Sequence, residues 1–152
     1  MLTAQIDVDA LGKTLVSDIM SENPITVRAS EDLETAAVLM AENNFHHLPV
    51  VDDNGDIQGI ISDRDLLSVV IRVRPWKVRE RAEGGWSKNR VSHVMTKTPE
   101  TVSPDVTVRE AGTVLLENRI GCLPVVDGNH LVGIITEYDF VKLVSQGLSA
   151  NT

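Results

Sequence analysis

Four groups of side chains in this sequence could do chemistry: the adjacent imidazoles His46 and His47, the single thiol Cys122, the carboxylate pairs Asp63/Asp65 and Glu137/Asp139, and a basic run between Arg72 and Arg90. Neighbouring residues on a strand point to opposite faces, so His46 and His47 cannot easily share one ion. Tetrahedral zinc would need more partners than the nearby sequence supplies. Cys122 could act as a nucleophile only with a base met in space, and no oxyanion loop or nucleophile elbow accompanies it. A small buried strand cysteine is the simpler reading. The carboxylate pairs stand at i, i+2 with no substrate framework around them, and neither a phosphate-loop lysine motif nor a GxGxxG run is present. These readings predict a protein that is not an enzyme and holds no metal.

The basic run is conspicuous because the chain as a whole is acidic, at −8. Arg72, Arg74, Lys77, Arg79, Arg81, Lys88 and Arg90 face only Glu80 and Glu83, a local excess of five positive charges that leaves −13 elsewhere. One reading is a solvated connector docked against acidic neighbours. The other is an anion or nucleic-acid contact. Trp76 and Trp86 flank Glu83-Gly84-Gly85 in this segment, and their expected role is apolar anchoring of the connector.

The 152 residues are 42% hydrophobic and 24% charged, which predicts one or two small globular domains. No apolar run reaches the roughly 20 residues of a membrane span. The N-terminus lacks the pattern of a secretory signal. With one cysteine and no disulfide framework, the expected location is the cytoplasm. Five aromatic residues are too few for a base-stacking platform.

The elements that would position these groups come in two copies. Val16-Ser17-Asp18-Ile19-Met20 aligns with Val91-Ser92-His93-Val94-Met95 at an offset of 75. Leu48-Pro49-Val50-Val51-Asp52 returns unchanged as Leu123-Pro124-Val125-Val126-Asp127, and Gly59-Ile60-Ile61 returns as Gly133-Ile134-Ile135. Each copy opens on a short apolar strand, Ile25 to Val27 in the first. A helix then follows, with Ser30 as its expected N-cap and Leu33, Ala36, Ala37 and Met40 on one face. Two β-branched runs come next, His47–Asp52 and Ile57–Ile61, with Asp53-Asn54-Gly55-Asp56 as the turn. A closing helix is expected from about Asp63 to Val73, and again from Glu137 to Gln146. The fold class is therefore α/β (α+β), from two β-α-β-β-α repeats. Residues 1–15 form a lead-in, 16–73 the first repeat, 74–90 the linker, 91–147 the second repeat and 148–152 a tail.

These residues resemble a known family. Two Met-ended lead-ins before Asn-Pro-Ile-Thr-Val and Thr-Pro-Glu-Thr-Val, two Leu-Pro-Val-Val-Asp strands and two Gly-Ile-Ile-Ser/Thr-x-x-Asp endings look like tandem cystathionine β-synthase (CBS) domains, the Bateman module. The resemblance spans about Val16 to Gln146. It implies pseudo-twofold packing, a homodimer, and adenosine-containing ligands such as AMP, ADP, ATP or S-adenosylmethionine in clefts between the repeats.

By the same resemblance, Asp65 and Asp139 hold ribose hydroxyls, while Ser62 and Thr136 contact ribose or phosphate. An ionised carboxylate can accept both protons of a diol, and a helix start offers amides to phosphate. The alternative is that Ser62 and Thr136 are helix caps and the aspartates first-turn residues. The Asp139 cleft, with Thr136 and Tyr138, would be completed by Asn23, Pro24, Ile25, His46 and His47. The Asp65 cleft, with Arg64, would be completed by Thr98, Pro99, Glu100, Gly121 and Cys122. This allocation makes the Asp139 site the better phosphate site. The acidic bodies favour mono- or diphosphates or a sulfonium over triphosphate. The implied function is regulatory: occupancy is reported to an unidentified partner protein. The rival readings are a ligand-free dimerisation or docking module and nucleic-acid contact through the linker.

Overall fold

The computed structural model describes residues 8–71, 86 and 88–146. Trp76 and most of the basic segment 72–90 lie outside these residues, as do Val73 and the tail. The elements run α1 (Val8–Leu11), α2 (Val16–Ile19), β1 (Ser21–Glu22), α3 (Leu33–Asn43), β2 (His47–Val51), β3 (Ile57–Ser62) and α4 (Asp63–Ile71). They continue with α5 (Val91–Val94), β4 (Thr96–Lys97), α6 (Val108–Asn118), β5 (Cys122–Asp127), β6 (His130–Thr136) and α7 (Glu137–Ser145).

The chain divides into two compact units that do not follow the copies. Residues 24–99 form one unit, and residues 1–23 with 100–152 form the other. Each unit is the body of one copy joined by the lead-in of the other. Its sheet has three antiparallel strands, ordered β2-β3-β4 in the 24–99 unit and β1-β6-β5 in the other. The third strand is the lead-in's two-residue end: Ser21 pairs with Ile134, and Thr96 with Ile60. The apolar strand expected at Ile25–Val27 does not form. Only Val27 bridges, in parallel, to Val50, and Val102 does the same with Val125.

The repeated glycines allow this pairing. A Cβ on Gly133 would stand 2.6 Å from Met20 Sδ and 3.0 Å from the Ser21 carbonyl oxygen. A Cβ on Gly59 would stand 2.7 Å from the Thr96 carbonyl oxygen and 2.8 Å from Met95 Sδ. The methionine ending each lead-in thus lies on the glycine of the other copy's strand, where any side chain would hold the backbones apart.

The cores repeat the sequence offset. Val27, Leu33, Ala36, Met40, Leu48, Val50, Ile61, Leu66 and Val91 fill one, and Val16, Val102, Ala111, Leu115, Leu123, Val125 and Ile135 the other. Burying a side chain of this size stabilises by about 1.5–3 kcal/mol, so the paired strand and helix faces dominate the fold. The expected Ser30 cap gives way to Asp32, because α3 starts later, at Leu33. Asp32 Oδ1 accepts from Thr35 N at 2.8 Å and from Thr35 Oγ1 at 2.9 Å. The backbone N–H of Thr35 and then its hydroxyl hold the Asp32 carboxyl below its ordinary value. In the second copy Thr107 caps α6 and accepts from Glu110 N, while the Glu110 side chain returns to Thr107 N at 2.8 Å.

Candidate functional site

Both repeated Ser/Thr-x-x-Asp motifs sit where a strand turns into a helix. Ser62 ends β3 before α4, and Thr136 ends β6 before α7. A hydroxyl residue at N-cap with a carboxylate three residues on forms a reciprocal box, which is why the chain turns here. Asp65 Oδ2 accepts from Ser62 N at 2.8 Å and from Ser62 Oγ at 3.0 Å, and Asp65 N donates back to Ser62 Oγ at 3.2 Å. Asp139 Oδ2 accepts from Thr136 N at 2.8 Å, with Thr136 Oγ1 at 3.4 Å, the limit of a hydrogen bond. Capping therefore uses Oδ2 in both copies. Among the described residues, neither Oδ1 has a hydrogen-bond partner.

The amides of these helix starts are less available than the sequence suggested. Asp63 N donates to the His46 carbonyl at 2.9 Å, and Glu137 N donates to the Gly121 carbonyl at 3.1 Å. With Ser62 N, Asp65 N and Thr136 N in the boxes, most first-turn donors are engaged inside the protein. The expectation that they point outward for phosphate is corrected to that extent.

The side chains over these backbone hooks differ between copies. His46 Nδ1 and Asp63 Oδ2 lie 2.9 Å apart, with the side chains 70% and 46% exposed. Burial raises the Asp63 pKa, but the His46 hydrogen bond, the Arg64 amide and the nearby imidazoles lower it by more, leaving it below 3.8. The corresponding pair in the second copy is Gly121 and Glu137. A Cβ on Gly121 would stand 3.4–3.6 Å from the atoms of the Glu137 carboxylate, so that group lies over a bare backbone.

His47 is partly buried and pairs in register with Ser62, while Cys122 pairs with Thr136. Burial, and secondarily the Asp139 charge, push the Cys122 thiol up to about 12. A thiol so rarely ionised is no nucleophile near neutral pH. Arg64 and Tyr138 are exposed. Asn23 and Thr98 occupy left-handed backbone, at φ 49° and 46°, immediately before Pro24 and Pro99. Such backbone costs a non-glycine residue on the order of 1 kcal/mol or more, most for a β-branched one such as Thr98. Ile25 packs on the core of its unit, and Glu100 is exposed.

By unit, Asp65, Ser62, Arg64, His46 and His47 fall together with Pro24, Ile25, Thr98 and Pro99. Asp139, Thr136 and Tyr138 fall with Asn23, Glu100, Gly121 and Cys122. Sequence reasoning passed over two features, the His46–Asp63 pair and the Glu137 carboxylate over Gly121. Both follow from the same backbone hook, and aligning His46 with Gly121 was the signal available.

Trp86 is described. Its Nε1 donates to the Leu66 carbonyl at 3.3 Å, and the ring packs against the core of the 24–99 unit. Its carbonyl and that of Asn89 accept from Leu33 N at 3.1 and 3.0 Å, satisfying an otherwise unpaired amide of α3. Among the described residues, no three His, Cys, Asp or Glu side chains converge as a metal site would require. No helix there is long and apolar enough to cross a membrane.

The CBS domain family model matches residues 16–72 and 91–146. The chain belongs to the CBS domain family. It is 34% identical over 134 residues to a CBS domain-containing protein of Dictyostelium discoideum, covering 87% of this chain and 92% of that one. Among solved structures it resembles CBSX2 in complex with AMP (32% identity, 88% and 97% coverage, TM-score 0.73). It also resembles a CBS domain pair in complex with 5′-methylthioadenosine and S-adenosyl-L-methionine (29% identity, 88% and 97% coverage, TM-score 0.75). The chain spans about a quarter of the length of other curated relatives. Those longer proteins carry the enzyme names; the CBS pair is a non-catalytic module.

Proposed function

We propose that this CBS pair is a regulatory module that binds adenosine-containing ligands, drawn from AMP, ADP, ATP and S-adenosylmethionine, and passes their occupancy to a partner protein. One observation carries the reading. In both copies the Ser/Thr-x-x-Asp carboxylate spends Oδ2 on its own helix cap and leaves Oδ1 without a partner among the described residues. The cap fixes the carboxylate's direction, and the spare oxygen is a strong acceptor for a ribose hydroxyl. The structures with AMP, and with methylthioadenosine and S-adenosylmethionine, support the ligand class. A ligand shifts the module only by binding one of its states more tightly.

Thermal denaturation of the chain with an adenine-ligand panel tests this. A ligand at 100 times its dissociation constant adds about 2.7 kcal/mol to stability. Asp65→Ala with Asp139→Ala should abolish that gain. A panel in which nothing moves the transition overturns the reading.

A second reading has its own observation. Tyr138, Val141 and Val144 are 71%, 63% and 55% exposed along one face of α7. An exposed apolar stripe of this kind favours association, and homodimerisation is its proposed use. Sedimentation that finds only monomer at micromolar concentration would remove it.

A further inference from the structure

The two lead-ins end on the same side chain in the same place: Met20 immediately precedes β1, and Met95 immediately precedes β4. Each of these strands is held to its sheet by two residue pairs. Ser21 and Glu22 face Ile134 and Gly133 in one unit, and Thr96 and Lys97 face Ile60 and Gly59 in the other. The strand residues are exposed and contribute little burial of their own. The apolar contact beside each strand is the methionine thioether, which packs on the core of its unit and rests on the glycine of the facing strand. Clearance there is small, since a Cβ would stand 2.6 Å from Met20 Sδ on Gly133 and 2.8 Å from Met95 Sδ on Gly59. Both methionines are nevertheless partly exposed, whereas Met40 on α3 is buried. The single thiol is a poor competitor for an oxidant, because Cys122 is buried and its ionised form is scarce.

We propose that Met20 and Met95 are paired oxidation sites, at which a peroxide converts the thioether to the sulfoxide and so loosens the third strand of each sheet. The sulfur lone pair attacks one peroxide oxygen, and the S–O bond forms as the O–O bond breaks. The departing hydroxide or alkoxide takes a proton and leaves as water or an alcohol. The thioether is thereby oxidised by two electrons and the peroxide reduced by two. The product carries a polar oxygen where the side chain was apolar. It must either give up the core contact to reach water or keep that contact with its oxygen poorly solvated. Either way the apolar contact beside the strand weakens. Val16 and Val91, fully buried at the starts of α2 and α5, still anchor the lead-ins, and their amides donate to the Val106 and Glu31 carbonyls. The loosening is therefore confined to β1 and β4, and the fold survives it. A methionine sulfoxide reductase reverses the change. The inference stands apart from the adenosine reading.

Treatment of the full chain with hydrogen peroxide, read by peptide mass spectrometry and by hydrogen exchange, tests this. Met20 and Met95 should gain oxygen before Met40, and that order should vanish in denaturant. Peptides spanning β1 and β4 should then exchange about fivefold faster, the ratio for about 1 kcal/mol of local stability. Helices α3 and α6 should keep their protection. Met20→Leu, close in volume and without an oxidisable sulfur, should abolish the response at β1 and leave it at β4. Met95→Leu should do the reverse. Met20→Gln and Met95→Gln should loosen the same strands without peroxide, and methionine sulfoxide reductase with a dithiol should restore protection to the oxidised chain. Oxygen gained at Met40 as fast as at Met20 and Met95 overturns the inference. So does oxidised protein whose β1 and β4 exchange as before, or a leucine variant that still responds at its own strand.

Discussion

His46 Nδ1 stands 2.9 Å from Asp63 Oδ2, and the same two residues are joined by a backbone bond in which Asp63 N donates to the His46 carbonyl. Strand entry and helix start are thus tied twice in the first copy and once in the second, where Glu137 N reaches Gly121 without a side-chain pair. Burial pushes the Asp63 carboxyl up, but the His46 bond, the Arg64 amide and the imidazole charges together outweigh it and hold the group below its ordinary value. A folded value below the unfolded one contributes stability above pH 3.8 that is lost as pH falls through the folded value. His46→Ala should move the Asp63 carboxyl upward in an NMR titration. Both side chains are well exposed, so the change in unfolding free energy at neutral pH should stay within about 1 kcal/mol. An Asp63 titration unchanged by His46→Ala would mean that the pair is not populated in solution.

Gly59→Ala and Gly133→Ala should each destabilise by about 1–3 kcal/mol, the usual cost of overpacking. Gly59 should be the more sensitive. Its Cβ would meet the Thr96 carbonyl oxygen at 2.7 Å, and that backbone atom is fixed by the ladder between β3 and β4. At Gly133 the closest atom is the end of the flexible Met20 side chain, at 2.6 Å, while the Ser21 carbonyl stands back at 3.0 Å. Urea denaturation should show a lower midpoint at unchanged slope for both. Midpoints equal to that of the unsubstituted chain would show that the lead-in strands do not lie on these glycines.

The cores were legible because Leu48 and Leu123, or Ala36 and Ala111, announce themselves by periodicity and by recurring at one offset. The helix α3 was legible for the same reason. The third strand of each sheet was not. Ser21–Glu22 and Thr96–Lys97 are two residues long and exposed on both faces, so they carry no alternation to read. Ile25–Val27 looked like a strand because it is apolar and β-branched, yet only Val27 makes a bridge. The exchange of lead-ins between copies was equally invisible, since it depends on the path of the chain and not on any local preference. At the site, the repeat exposed Asp65 and Asp139. How each carboxylate divides its two oxygens depends on hydrogen-bond geometry that no residue spacing encodes.

Cys122 should be inert in the folded protein. It is 5% exposed on β5, and burial with the Asp139 charge raises its pKa to about 12. At pH 8 only about one thiol in ten thousand would be ionised at that pKa, even if reagent could reach it. Alkylation by iodoacetamide should therefore proceed only through opening of the structure and accelerate sharply in denaturant. Rapid labelling of the native chain at pH 8 would place Cys122 on the surface. Asp139→Asn removes the smaller contribution, so it should lower the thiol pKa while leaving the side chain protected.

Trp86, within the basic segment, fastens the chain to the first turns of two helices. Its indole reaches the Leu66 carbonyl, one residue after Asp65, and its own carbonyl takes the Leu33 amide at the start of α3. Trp86→Phe keeps most of the ring packing and loses a hydrogen bond that is long, at 3.3 Å, so it should cost about 0.5–1 kcal/mol. Trp86→Ala also strips the partly buried ring from the Leu33 and Leu66 core and should cost about 2 kcal/mol or more. The backbone bond to Leu33 survives in both variants, so α3 should keep its start and the loss should fall on the packing of α4. Hydrogen exchange can separate these effects: amides of α4 should exchange faster in Trp86→Ala, while those of α6 in the other unit keep their protection. Uniform acceleration across both helices would show that Trp86 supports the whole chain and not one helix start.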